Sequence, residues 1–311
     1  MAMSLTKKKR KRTAVVGAGW FGRAHIRNFY DLSNLVAVCD KAEEKLNIVH
    51  QTYEDINLYN DIDDLLKNED IDAVSIVTQP KNIPLIASPF AKAGIDILME
   101  KPMALKLEYL KEFQKYDNIR IMPGFIELFN PVFEKLLNFL PEIGGIISVA
   151  SKRIGLYPRR DWQMGVILDL SIHDIYLQER LLQKEIIHAE GYKKCVRDNV
   201  HADAAFIILD FGTAIGHIES NWLTPSKFRR MYVNGEEGGI MIDFISQKIT
   251  IRTGLDLQGD HPTTKEITYS PLRSDEPLKR EIQNFLYDKQ PLVTLQDGIR
   301  ALEIALKIVN N

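Results

Sequence analysis

Two titratable side chains, Asp169 and His173, stand four positions apart in the mostly apolar run Gly165-Val166-Ile167-Leu168-Asp169-Leu170-Ser171-Ile172-His173-Asp174. On a helix that spacing puts both on one face, while Leu168, Ile172 and Ile175 form a separate apolar stripe. An acid beside a group that titrates near neutrality suits proton transfer. A core histidine with satisfied hydrogen bonds is the plain alternative. A metal pair is disfavoured, because a shell needs about four ligands and no other cluster stands ready to complete it. A third candidate is Lys101 in Glu100-Lys101-Pro102. Pro102 confines Lys101 to extended backbone and so aims its amine, which supplies positive charge and, once partly desolvated, a proton. Otherwise it is a surface lysine paired with Glu100.

The glycines suggest what accepts electrons. Gly17, Gly19 and Gly22 follow the apolar run Ala14-Val15-Val16 directly, and a helical pattern opens at Phe21. In that context Gly17 permits a tight turn, Gly19 lets the backbone approach a pyrophosphate, and Gly22 lets helix and strand pack closely. Trp20 and Phe21 fall inside the same turn. A second run, Leu35 to Cys39, ends at Asp40, 18 residues beyond Gly22. An acid there accepts hydrogen bonds from a ribose and repels a 2′-phosphate, so the expected cofactor is NAD, with NADP less favoured. The alternative is that Asp40 caps a helix starting near Ala42.

These residues need a sheet to carry them. From Thr13 to Pro123 strand-like runs alternate with helical ones, at Ala14–Val16, Leu35–Cys39, Ala73–Val77, Ile95–Met99 and Ile119–Met122. Helices are expected at 61–66, 85–92 and 104–116. Such alternation makes a doubly wound parallel α/β sheet, a Rossmann fold, and ligands bind such sheets at the carboxyl ends of the strands. Thr78, Glu100 and Lys101 occupy those ends and join the expected cofactor contacts. Beyond Pro123 the pattern changes to helices near 131–140 and 166–182 and to successive strands at 146–152, 204–211, 214–222, 229–234, 239–244 and 248–252. That grammar describes an α+β domain on an open, mainly antiparallel sheet. The last 35 or so residues return to helix, with Pro277 in a first turn. A chain of 311 residues exceeds most single cores, so the expected organisation is a basic tail at 1–12, an NAD-binding domain at 13–123 and a substrate and oligomerisation domain at 124–311.

Composition is that of a soluble globular protein, with 45% hydrophobic and 26% charged residues. There is no apolar stretch of the ~20 residues a membrane span needs, nor an apolar leader. Cys39 and Cys195 suggest no disulfide framework, so a reducing cytoplasm is expected. Lys7 to Arg12 are all basic in a chain of net charge −2. They read as a solvated tail, because no nucleic-acid-binding module follows.

Taken jointly, the glycine turn, Asp40, Glu100-Lys101-Pro102, Pro123-Gly124-Phe125 with Phe129-Asn130-Pro131, the Gly165 to Asp174 segment and the region from Pro271-Leu272 to Leu306 resemble the glucose-fructose oxidoreductase and inositol dehydrogenase (Gfo/Idh/MocA) family. The resemblance covers nearly everything from Thr13. It implies that Lys101 lies at the oxygen that changes oxidation state, that His173 is the general acid or base, and that Asp169 holds the substrate or orients the other two. It also implies assembly into dimers or tetramers through the open sheet. Two departures stand out: Gln79 and Ile83 replace a proline and a histidine common after the fourth strand, and Leu128 replaces an arginine. The loop Arg153 to Arg160, with Tyr157 and Arg159, looks most like the branch that includes UDP-N-acetylglucosamine 3-dehydrogenase. Arg153, Tyr157 and Arg159 are therefore expected at a sugar or nucleotide-sugar substrate, with a surface salt-bridge loop as the alternative. Two rival readings stay open, a redox-neutral glycosidase that uses bound NAD and a ligand-sensing regulator without chemistry.

Overall fold

The computed structural model describes residues 10–158, 164–197, 199–256, 263–271 and 275–311. Arg159, Arg160, Leu272 and the basic run at 7–9 lie outside the described residues. The chain divides into two compact units, one of Met1–Gly124 with Leu278–Gln296 and one of Phe125–Pro277 with Asp297–Asn311.

In the first unit the strands β1 (Arg12–Val16), β2 (Asn34–Cys39), β3 (Asn57–Tyr59), β4 (Ala73–Ile76), β5 (Asp96–Glu100) and β6 (Ile121–Gly124) alternate with α1 (Trp20–Leu32), α2 (Glu43–His50), α3 (Ile62–Asn68) and α4 (Ile83–Lys92). All pairings are parallel, in the order β3-β2-β1-β4-β5-β6. β4 is buried at every position, as a strand covered on both faces must be. The strand order reverses between β1 and β4, and the glycine turn leaves β1 at that switch point. In place of the helix expected over 104–116, nine residues, Leu107–Lys115, wind as 3₁₀ turns. Leu107, Leu110 and Phe113 recur every third residue, which matches three residues per turn, and Leu110 and Phe113 are buried.

A single cut after Pro123 would assign the C-terminal helices to the second domain. Instead α7 (Pro277–Tyr287) packs largely with the first unit. The Phe285 ring meets Phe29 of α1 edge-on at 6.5 Å, and the Tyr287 hydroxyl donates to the Leu32 carbonyl at 2.5 Å. Arg120 closes the helix end by donating to the carbonyls of Asn284, Phe285 and Asp288 at 3.1, 2.5 and 2.6 Å.

Among the described residues the second unit is built on eight strands: β7 (Ile146–Ile154), β8 (His188–Lys194), β9 (Ala204–Asp210), β10 (Ile215–Asn221), β11 (Phe228–Gly235), β12 (Gly238–Asp243), β13 (Lys248–Asp256) and β14 (Thr263–Tyr269). Their order is β14-β13-β12-β11-β7-β10-β9-β8, and only β7 and β10 pair in parallel. α5 (Pro131–Phe139) starts on Asn130, whose side-chain oxygen accepts from the Val132 amide at 3.3 Å. α6 (Ile172–Leu182) lies against β7 and β10, and α8 (Leu295–Asn310) ends the chain. The opposite sheet face leaves Tyr192, Phe206, Ile208, Ile215 and Tyr232 exposed.

Candidate active site

In the first unit, each glycine of the turn has a different neighbourhood. Gly17 has φ +105°, donates its N–H to the Cys39 carbonyl at 2.7 Å, and leaves no room for a side chain, since a Cβ would lie 2.1 Å from the Val77 oxygen. At Gly22 a Cβ would lie 1.9 Å from the Gly17 oxygen, so α1 can sit this close to the turn only with glycine there. At Gly19 a Cβ would meet nothing within 4 Å. Gly19 is also the N-cap of α1, with no side-chain cap and no acid in the first turn, so the helix end is open to an anion. This is the cradle a pyrophosphate fits. Trp20 is 74% exposed and stacks on Phe21 at 6.1 Å. Asp40 accepts from the Ala18 amide at 2.8 Å and the Ala42 amide at 2.9 Å, which ties the glycine turn to the end of β2. α2 itself is capped at Ala42. Half-buried Thr78 follows β4, beyond the Val77 amide that donates to Val16.

Lys101 is held from behind. Glu100 is buried; its Oε1 pairs with His25 Nε2 at 3.1 Å, and its Oε2 accepts the Lys101 backbone N–H at 3.1 Å. His25 Nδ1 in turn meets the Ser75 hydroxyl at 2.9 Å. Glu100 is therefore an internal strut for Lys101, with one bond at each oxygen made inside the unit. Gly124 is glycine for the same reason, since a Cβ would lie 2.6 Å from Glu100 Oε1. Fully buried Glu281 on α7 has no hydrogen-bond partner on either oxygen among the described residues. Burial first, and the charge of Glu100 second, hold its carboxyl well above the usual carboxylate range.

In the second unit, the expected helix over 166–182 is not uniform. Ile167–Ser171 forms one π turn, and α6 continues from Ile172. Such wide turns inside helices often mark functional sites. Asp169 lies in the π turn and His173 in the first turn of α6, both buried. The entry to this turn is pinned by Gly165, where a Cβ would lie 2.8 Å from the Ala202 oxygen, and by the Val166 amide, which donates to that oxygen at 2.7 Å. His173 Nδ1 sits 2.6 Å from the Tyr176 hydroxyl, and that hydroxyl oxygen accepts the Glu127 N–H at 3.3 Å. The Tyr176 ring stacks on Phe125 at 3.8 Å. Tyr176 was not singled out in the sequence, although its position three residues after His173 on one helix was a usable signal.

Arg153 does not present an anion-reading group. It is 1% exposed; its Nε and Nη2 donate to Asp174 at 3.0 and 3.2 Å and its Nη1 to Glu127 at 2.6 Å. Burial opposes its charge, but the two carboxylates outweigh burial and raise its pKa. Burial likewise works against Glu127, and Arg153 with Arg229 overcomes it and holds that carboxyl below its usual range. Tyr157 stands edge-on to Trp222 at 5.9 Å under the Arg197 guanidinium at 5.7 Å. Arg159 lies outside the described residues. Arg229, also missed, reaches Glu127 Oε1 at 3.4 Å. Its signal was an arginine on the inward face of β11, in line with buried Met231 and Val233. Among the described residues no three of His, Cys, Asp and Glu gather as a metal shell.

Two family models match the chain. Residues 11–118 match the model of an oxidoreductase family with an NAD-binding Rossmann fold, and residues 142–241 match the GFO/IDH/MocA C-terminal domain. The myo-inositol 2-dehydrogenase of Thermotoga maritima is 26% identical over 94% of this chain and 93% of its own length. The UDP-N-acetylglucosamine 3-dehydrogenase of Acidithiobacillus ferrooxidans is 26% identical over 77% of this chain and 76% of its own. The solved structure of that enzyme superposes with a TM-score of 0.87 at 24% identity, covering 96% of each chain. Two family models, one for each half, thus meet on a chain whose glycine turn is shaped for a dinucleotide; the protein belongs to the Gfo/Idh/MocA family and is an NAD-dependent dehydrogenase acting on CH–OH groups.

Proposed function

We propose that the chain oxidises a secondary alcohol of a sugar or nucleotide-sugar, or reduces the ketone in reverse, with Lys101, Asp169 and His173 as its catalytic residues. The observation that carries this reading is the π turn, which buries Asp169 one turn from a His173 whose Nδ1 is engaged by Tyr176. For Nε2 to accept the substrate O–H proton, Nδ1 keeps its hydrogen and donates it to the Tyr176 oxygen. NAD, when bound, supplies the acceptor for the hydride leaving the same carbon. The Lys101 ammonium stabilises the negative charge developing on oxygen, and the Glu100 strut fixes the backbone from which it extends. Asp169 holds a neighbouring substrate hydroxyl. Gly17, Gly19, Gly22, Trp20, Phe21, Asp40, Thr78, Glu100 and Lys101 form the cofactor side, and Tyr157 the outer substrate side.

The substrate class is supported by relatives named for inositol and for UDP-N-acetylglucosamine. We place the chain in a homodimer or homotetramer, on the strength of the exposed apolar sheet face. Among the described residues no helix is long and apolar enough to cross a membrane. A reducing cytoplasm suits its two free cysteines, of which Cys39 is buried with its thiol pushed up to about 12. The test is absorbance at the NADH band after mixing protein and NAD with free sugars, cyclitols and UDP-sugars. A signal with one class supports the reading; no signal with any, while NAD binds, overturns it.

A further inference from the structure

Arg153 and Arg229 stand directly opposite each other in the β7–β11 register, so both side chains leave the same face of the sheet. The bonds from Arg153 to Asp174 on α6 identify that face as the one beneath the catalytic helix. Arg153 is saturated by two carboxylates, but Arg229 has only a 3.4 Å contact to a Glu127 oxygen that Arg153 already holds at 2.6 Å. Among the described residues its guanidinium makes no other hydrogen bond, and its side chain is 33% exposed. Lys227 is two residues upstream, and its stem passes Gly155, where a Cβ would lie 3.9 Å from Lys227 Cγ. The two cations repel each other: Arg229 is the main cause of a lowered Lys227 pKa. Like charges kept adjacent on that face are relieved when an anion joins them.

We propose that Arg229 and Lys227 form an oxyanion subsite on the sheet face beneath the catalytic helix, which takes the carboxylate or phosphate of an acidic sugar derivative. The fork of Arg229 supplies paired donors to either group, and Lys227 supplies a mobile point charge at its edge. This subsite replaces Arg153 as the anion reader, and it rests on the sugar-dehydrogenase reading above.

The experiment is calorimetric titration of the full-length, NAD-loaded protein with UDP and, separately, with glucuronate. Arg229→Met is expected to weaken binding about tenfold or more and Lys227→Ala by a smaller factor, with Arg229→Lys restoring part of the loss. Binding by the wild type should weaken as salt is raised. A response to UDP alone assigns the phosphate, and a response to glucuronate alone assigns the carboxylate. Binding of neither, or equal binding by wild type and both charge-removing variants, overturns the proposal. Should Arg229→Met fail to fold, Lys227→Ala, outside the strand pairing, carries the comparison. NADH formation is scored separately: a protein that binds these anions through Arg229 but never reduces NAD keeps the subsite and loses the dehydrogenase reading.

Discussion

Two buried residues, Tyr176 and Glu281, carry separate tests. Tyr176 fixes His173 through a 2.6 Å bond to Nδ1, so removing its hydroxyl leaves the imidazole without that anchor. Tyr176→Phe is expected to lower kcat by about 10-fold or more and to move the pH profile of kcat/KM, with NAD affinity retained. An unaltered profile would show that His173 is oriented by other groups. Glu281 offers a stability test. Its folded pKa is raised above the ordinary 4.5, so the unfolded chain releases this proton at a lower pH than the folded one. The contribution of Glu281 to stability is thus fully present below about pH 4.5 and is lost as pH rises towards the folded pKa. Glu281→Gln, which cannot ionise, should melt progressively higher than wild type between pH 5 and pH 8, by about 2–4 °C for each kcal/mol of relief. A difference in melting temperature that stays flat across that range would contradict the protonated, buried carboxyl.

At the scale of elements, the glycine turn allows stability and binding to be separated. Gly19→Ala adds a methyl where nothing lies within 4 Å, so it should fold and melt normally, yet bind NAD about tenfold or more weakly because the methyl takes the pyrophosphate's place. Gly22→Ala should instead lose folded protein, since its Cβ would lie 1.9 Å from a backbone oxygen. Calorimetry and thermal melting of the pair would decide; equal NAD affinity in Gly19→Ala and wild type would remove the turn from cofactor binding. These distinctions were legible in the sequence because apolar runs and glycine spacing state local geometry directly. Other elements were not. β3 is only three residues long, and β8 and β14 carry too many exposed polar positions to show a buried face. The 3₁₀ winding of Leu107–Lys115 and the π turn at Asp169 differ from an α-helix by less than one residue per turn, a margin that sequence periodicity over so few residues does not resolve. Arg153 was misread because its partners Glu127 and Asp174 are distant in sequence, and only the sheet brings them to it.

At the scale of the whole molecule, the proposed homo-oligomer would cover the exposed apolar face of the second sheet. Ile208, His217, Ala150 and Tyr232 form one cross-strand row, and Phe206 stacks on His217 at 6.2 Å. Ile208→Glu should shift the sedimenting species to a smaller mass with the fold retained, because a charge on this face opposes burial against a second copy. An unchanged mass would assign assembly to another surface. The return of Leu278–Gln296 to the first unit depends on contacts such as Phe285 with Phe29, which join elements far apart in the sequence. In the proposed mechanism His173 handles the proton and Lys101 the charge on oxygen. Its most direct test is NADH formation by wild type, Lys101→Ala and His173→Ala with the sugar that gives the strongest signal, alongside NAD affinity for each. A loss in turnover of about 10²-fold or more is expected for both variants, with NAD binding nearly intact. A variant that turns over at the wild-type rate would contradict it.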